Sequence, residues 1–97
     1  EELNVKEIYY FEYLNRKICV RTKKGKFSMR GSITRLAAKM EEYGFAMPHK
    51  SFSVNLYHVK AIRGYDMYMM DGSVLPLSQK KSVQFRERLS QFLTEQI

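Results

Sequence analysis

Tyr65-Asp66-Met67-Tyr68-Met69-Met70-Asp71-Gly72-Ser73-Val74-Leu75-Pro76-Leu77 is the stretch that decides the fold class, because two β-rich segments meet there at Asp-Gly. That dipeptide is preferred in two-residue turns between antiparallel strands. A hairpin is therefore predicted, with strands over about 65–70 and 73–77. Downstream, Val83, Leu89, Phe92 and Leu93 fall on one helical stripe with no Gly or Pro to interrupt it, and Ser78 stands in a capping position. This predicts a C-terminal helix near 79–94.

Upstream, Ile8 to Leu14 is a β-rich run that stops at the polar turn Asn15-Arg16-Lys17. Ile18 to Thr22 resumes the β character, Lys23-Lys24-Gly25-Lys26 turns the chain, and Phe27 to Arg30 returns it, giving a meander of three strands. Alternation sets Cys19 opposite Val20, a half-buried strand thiol. At Gly31-Ser32 the period changes. Ile33, Leu36, Ala37 and Met40 follow i, i+3, i+4, i+7 spacing, so one amphipathic helix is predicted near 32–43, capped by Ser32 and closed by Gly44. Phe45–Lys50, Phe52–Asn55 and Val59–Arg63 read as short strands. The fold class is mostly β with two helices, in an elongated arrangement of short antiparallel sheets. No linker, repeat or low-complexity tract interrupts residues 1–97, so one domain is expected.

Seventeen Lys and Arg against ten Asp and Glu give a net charge of +7, which favours a polyanionic partner. Asn15 to Arg30 carries seven bases (Arg16, Lys17, Arg21, Lys23, Lys24, Lys26, Arg30) and no acid. Two further basic loops, His49-Lys50 and Lys80-Lys81, lie at the edges of other elements. Basic loops that neutralise phosphates while a neighbouring side chain reads a base edge fit nucleic-acid binding. A membrane surface would call for a basic amphipathic helix, whereas the basic run reads as strands and turns. No apolar run approaches the roughly 20 residues of a membrane span, and the expected compartment is the cytoplasm.

Enzymatic chemistry finds little support. His49 and His58 are nine residues apart with no second ligand pattern nearby, Cys19 has no adjacent activator, and Lys24-Gly25-Lys26 lacks the rest of a phosphate loop. Asp66 and Asp71 read as solvated turn residues. No catalytic residue, metal or cofactor is expected. The aromatic residues Tyr9, Tyr10, Phe11, Tyr13 and Phe27 form a conceivable stacking platform for single-stranded bases, although alternation lets only about half of them share a face. Met67, Met69 and Met70 read as sheet packing.

The segment Phe45-Ala46-Met47-Pro48-His49-Lys50-Ser51-Phe52-Ser53-Val54-Asn55 resembles the central signature of the LytTR family of DNA-binding domains: an aromatic residue, then His-Arg/Lys-Ser and Val-Asn at fixed spacing. Tyr10-Phe11-Glu12, the basic turn after it, Gly31-Ser32, and Asp71-Gly72 leading into Leu75-Pro76-Leu77-Ser78 stand in the family's order. The resemblance covers about 8–90. It implies short antiparallel sheets that bind the major groove of double-stranded promoter DNA through loops, as the output domain of a two-component response regulator.

Carried over by position, the resemblance places DNA contacts at Asn15-Arg16-Lys17, His49-Lys50 and Gln79-Lys80-Lys81, with Arg21, Lys23, Lys24 and Lys26 as supporting phosphate contacts. Arg16 suits guanine O6 and N7, Gln79 suits adenine, and Lys50 and Lys80 suit phosphate or guanine. His49 either braces its loop or touches DNA; Ser51 and Asn55 read as structural. Met47 stands where the family usually has a base and Gln79 where many members place Arg, so base preference does not transfer. The implied partners are a second copy on paired promoter repeats and a sensor histidine kinase acting through a receiver domain that the Glu1 start suggests has been cut away. Two other readings stay open: a single-stranded nucleic-acid or RNA-binding β-module, and a protein-interaction module docking through exposed strands or the terminal helix.

Overall fold

The computed structural model, which describes residues 4–96, pairs the β-rich runs of the N-terminal third as a meander of β1 (Ile8–Leu14), β2 (Lys17–Thr22) and β3 (Gly25–Met29). Helix α1 (Ile33–Met40) follows. Its stripe faces inward as Ile33, Ala37 and Met40, and the Ser32 hydroxyl caps it by accepting from Arg35 N–H at 3.2 Å. A 3-10 turn, Glu41–Tyr43, continues it to Gly44, whose φ of 85° ends the helical path. A side chain at Gly44 would bring Cβ within 3.2 Å of the Phe92 ring, so this left-handed, closely approached position favours glycine twice over.

β4 (Phe45–His49) and β5 (Phe52–Asn55) complete a five-stranded antiparallel sheet in the order β3-β2-β1-β5-β4. β6 (Val59–Arg63), β7 (Asp66–Met69) and β8 (Val74–Pro76) form a second sheet of three, and α2 (Ser82–Glu95) closes the chain. The large sheet is the middle layer. Ile8, Phe11, Ile18, Val20 and Phe45 pack with Ile33 and Met40 of α1 on one face. Tyr10, Phe52 and Val54 meet Met67, Met69 and Leu75 of the small sheet and Phe85 and Phe92 of α2 on the other. A register shift between Ile8 and Tyr10 returns Ile8 and Phe11 to the same core. The described residues extend 33 × 28 × 24 Å.

Four local expectations are corrected. The hairpin of the small sheet turns through three residues, not two. Gly72 N–H bonds to Met69 O at 3.0 Å, Met69 N–H to Ser73 O at 2.9 Å, and of the Asp-Gly pair only Gly72 has positive φ, 91°. This is the tight turn plus left-handed residue of a three-residue loop. Met70 consequently sits on the loop, 56% exposed, and takes no part in sheet packing. In α2 the buried stripe is Phe85 and Phe92 with Leu89 half-buried, while Val83 and Leu93 are exposed. The helix also starts at Ser82, because Ser78 caps a separate turn over 78–81.

Candidate nucleic-acid interface

Antiparallel pairing of Leu14 with Lys17 leaves Asn15 and Arg16 as a two-residue turn, with φ of 53° and 63°. Two positive φ values in a two-residue loop define the turn whose twist matches the flanking strands. Asn enters that region readily, whereas for Arg it costs on the order of 1 kcal/mol. Arg16, Asn15 and Lys17 are all exposed. The strained cation thus stands at the tip of the longest hairpin in the sheet.

The second turn, Lys50-Ser51, joins β4 to β5 across the His49–Phe52 pair. His49 braces it: Nδ1 accepts the Ser51 N–H at 3.1 Å and the ring stands edge-on to Phe52. An accepting Nδ1 leaves the ring proton on Nε2, so the bracing histidine still has an N–H donor at its other edge. The third turn is Gln79-Lys80-Lys81, held by Ser78, whose hydroxyl and carbonyl oxygens both accept the Lys81 N–H at 3.2 Å. Gln79 and Lys80 are exposed and Lys81 is half-buried.

Main-chain bonds set these turns side by side. Tyr13, at the end of β1, donates its N–H to Ser51 O at 2.8 Å, and Ser78 donates to Pro48 O at 2.8 Å. The three loops chosen by charge therefore share one end of the molecule, and 15–17, 49–51 and 78–81 contain no acid.

The supporting group does not join them. Antiparallel geometry sends the Lys23-Lys24 turn to the far end of the β1–β2 hairpin, about 20 Å away over seven residues of strand. There Lys24 Nζ lies 3.6 Å from Glu7 and Lys23 N–H bonds to Glu7 O at 2.9 Å. Arg21 Nε lies 3.3 Å from Asp71, whose side chain is only 7% exposed. Asp71 also accepts from the Ser73 N–H at 3.0 Å and hydroxyl at 2.8 Å, and Ser73 Oγ meets the Tyr10 hydroxyl at 3.3 Å. Asp71 is thus a buried clasp between the two sheets, not a solvated turn residue; Asp66 is exposed as expected. Lys26 lies across from Arg21, within the strands and away from the three turns.

One residue of the turn end belongs to the basic run but not to the expected contacts. Arg30, at the exit of β3, lines a shallow concavity with Asn15, Arg16 and Lys17. Its signal was available, since Arg30 closes the acid-free basic run that Arg16 and Lys17 open, and the β2–β3 hairpin, pairing Ile18 with Met29, brings the ends of that run together.

Other residues take structural places. Asn55 is 1% exposed, donates to Ile8 O at 2.9 Å and accepts from Tyr57 N–H at 3.1 Å. Met47 is half-buried against the α1-side core. Tyr10 and Phe11 are buried on opposite faces, which breaks up the aromatic platform; Tyr13 and Phe27 are its exposed members. Cys19 is half-buried. Among the described residues no group of three His, Cys, Asp or Glu could hold a metal, and no helix is long and apolar enough to cross a membrane.

A family model described as the LytTr DNA-binding domain matches residues 1–90. The sensory transduction proteins LytT of Bacillus cereus and Bacillus anthracis are each 24% identical over 92 residues, covering 90% of this chain and 37% of their own length. The chain thus spans little more than a third of these curated relatives. A solved LytTr DNA-binding domain of a methyl-accepting/DNA response regulator from Bacillus cereus superposes with a TM-score of 0.81 at 25% identity, over 90% of this chain and 84% of that one.

Proposed function

From the premise that this chain belongs to the LytTR DNA-binding domain family, we propose that it binds double-stranded promoter DNA sequence-specifically, as the output domain of a cytoplasmic response regulator. The observation that carries the proposal is the convergence of three basic, acid-free turns at one end of the molecule, tied by the Tyr13–Ser51 and Pro48–Ser78 main-chain bonds. Turns of this kind enter the major groove as a set. Arg16 takes guanine O6 and N7, Gln79 takes an adenine edge, Lys50 and Lys80 take phosphate or guanine, and His49 holds the middle turn in shape. Paired promoter repeats bring two copies together on DNA. A receiver domain elsewhere in the whole protein passes on the signal of a sensor kinase.

The Arg21, Lys23, Lys24 and Lys26 group is not needed for this interface. The pairs of Arg21 with Asp71 and Lys24 with Glu7 favour a role for those two in holding the sheet together. The aromatic residues give the single-stranded reading no comparable support, because two of the five are core.

Selection from a pool of random duplexes tests the proposal. A motif repeated at fixed spacing is expected, with affinity for it falling about 0.9 log units per log of salt for each phosphate neutralised. Recovery of no motif together with a salt-independent affinity refutes it, and preference for single strands in competition points to the alternative β-module.

A further inference from the structure

The concavity formed by Asn15, Arg16, Lys17 and Arg30 has a charge arrangement that the fold by itself does not justify. Lys17 and Arg30 lie just beyond the Ile18–Met29 pair that ends the β2–β3 ladder, and both line this one hollow. Like charges held near one another repel. Two other bases of the sheet are offset by acids: Arg21 has Asp71 and Lys24 has Glu7. Among the described residues no acid pairs with Lys17 or Arg30, both of which are exposed. The same hollow is walled by the strained Asn15-Arg16 turn, which fixes its rim beside the cations.

We infer that Lys17 and Arg30 form a seat for one DNA phosphate, docked in the hollow under the Asn15-Arg16 turn; this deepens, and rests on, the duplex-binding reading above. A phosphodiester between the two side chains replaces their mutual repulsion with charge-assisted hydrogen bonds, for which the Arg guanidinium is the stronger partner. The seat anchors the backbone beside the turn, so that Arg16 meets a base edge from a fixed distance. It also defines Arg30 as a positioning residue that affects all sequences alike.

The test is binding of a mixed-sequence duplex across a salt series by the wild-type domain, Arg30→Ala, Lys17→Ala and Lys24→Ala, repeated with duplexes carrying one neutral methylphosphonate at each position in turn. Arg30→Ala and Lys17→Ala should each lower the slope of log affinity against log salt by up to about 0.9, while Lys24→Ala leaves it unchanged. At one methylphosphonate position the loss seen with wild type should disappear in both seat variants. An unchanged slope for Arg30→Ala and Lys17→Ala, or losses that never couple to a single phosphate, overturns the seat while leaving duplex binding intact. A wild-type domain with no salt-dependent affinity for duplex fails the underlying reading instead. Unchanged thermal melting of the variants certifies that the fold is retained.

Discussion

The two ends of the five-stranded sheet carry similar numbers of bases and use them in opposite ways. At the Lys23-Lys24 end two cations meet an acid of the protein: Lys24 has Glu7, and Arg21 has an Asp71 that Ser73 holds in place. At the Asn15-Arg16 end the cations meet solvent, next to a turn that accepts backbone strain. Positive charge alone therefore does not distinguish the two ends. What sets the Asn15-Arg16 end apart is cations without an acidic partner beside backbone held in a costly conformation, and such strain is a recurrent feature of functional sites.

The sharpest way to break this contrast is Arg16→Ala. Binding to a selected duplex should weaken by about 1 to 3 kcal/mol, with relaxed preference at one base pair, read by titration against single-base variants of the site. Equal weakening on every variant would remove Arg16 from the readers. At the opposite end, Asp71→Ala should cost about 2 kcal/mol of stability, because it strands the half-buried Arg21 guanidinium and the Ser73 groups. Urea denaturation measures this, and the folded variant should bind DNA as the wild type does. A loss of affinity with stability intact would place the clasp inside the interface.

Arg16→Gly is expected to act in two directions at once. Removing the left-handed Cβ penalty should raise stability by about 0.5 to 1 kcal/mol, while affinity falls as far as it does for Arg16→Ala. A destabilised Gly variant would mean that the turn is not strained. The smallest effect belongs to Lys24→Ala, whose exposed pair with Glu7 contributes less than about 0.5 kcal/mol; melting and duplex affinity should both stay close to wild type.

Local features of the fold were legible because their causes are local. The Ser32 cap, the α1 stripe, the Gly44 stop and the meander all follow from neighbours in sequence. The α2 stripe was misjudged because four apolar residues at helical spacing do not reveal which of them face the core; Phe85 and Phe92, seven apart, meet the small sheet, and Val83 and Leu93 fall outside that arc. Of the candidate site, the three turns were picked out by basic residues and by the family signature, and their convergence at one end was not legible because it rests on main-chain bonds between distant segments. What escaped was partnership across distance. Arg21 and Asp71 are fifty positions apart in the chain, so an ion pair looked like a phosphate contact and a solvated turn residue. The run from Asn15 to Arg30 looked continuous, yet a hairpin sends its middle to one end of the sheet and its two termini to the other, which separates Lys24 from Arg16 and brings Arg30 to the hollow that Lys17 lines.

The bonds from Tyr13 N–H to Ser51 O and from Ser78 N–H to Pro48 O involve no side chain. The spacing of the three tips consequently does not depend on the side chains of Lys50, Gln79 or Lys80. Exchanging Gln79 for Arg, or Lys50 for another donor, would alter the chemical letter presented at that tip without moving the others. In evolutionary terms the main chain behaves as a fixed type-holder, in which one-residue substitutions change the chemistry on display and leave the fold intact.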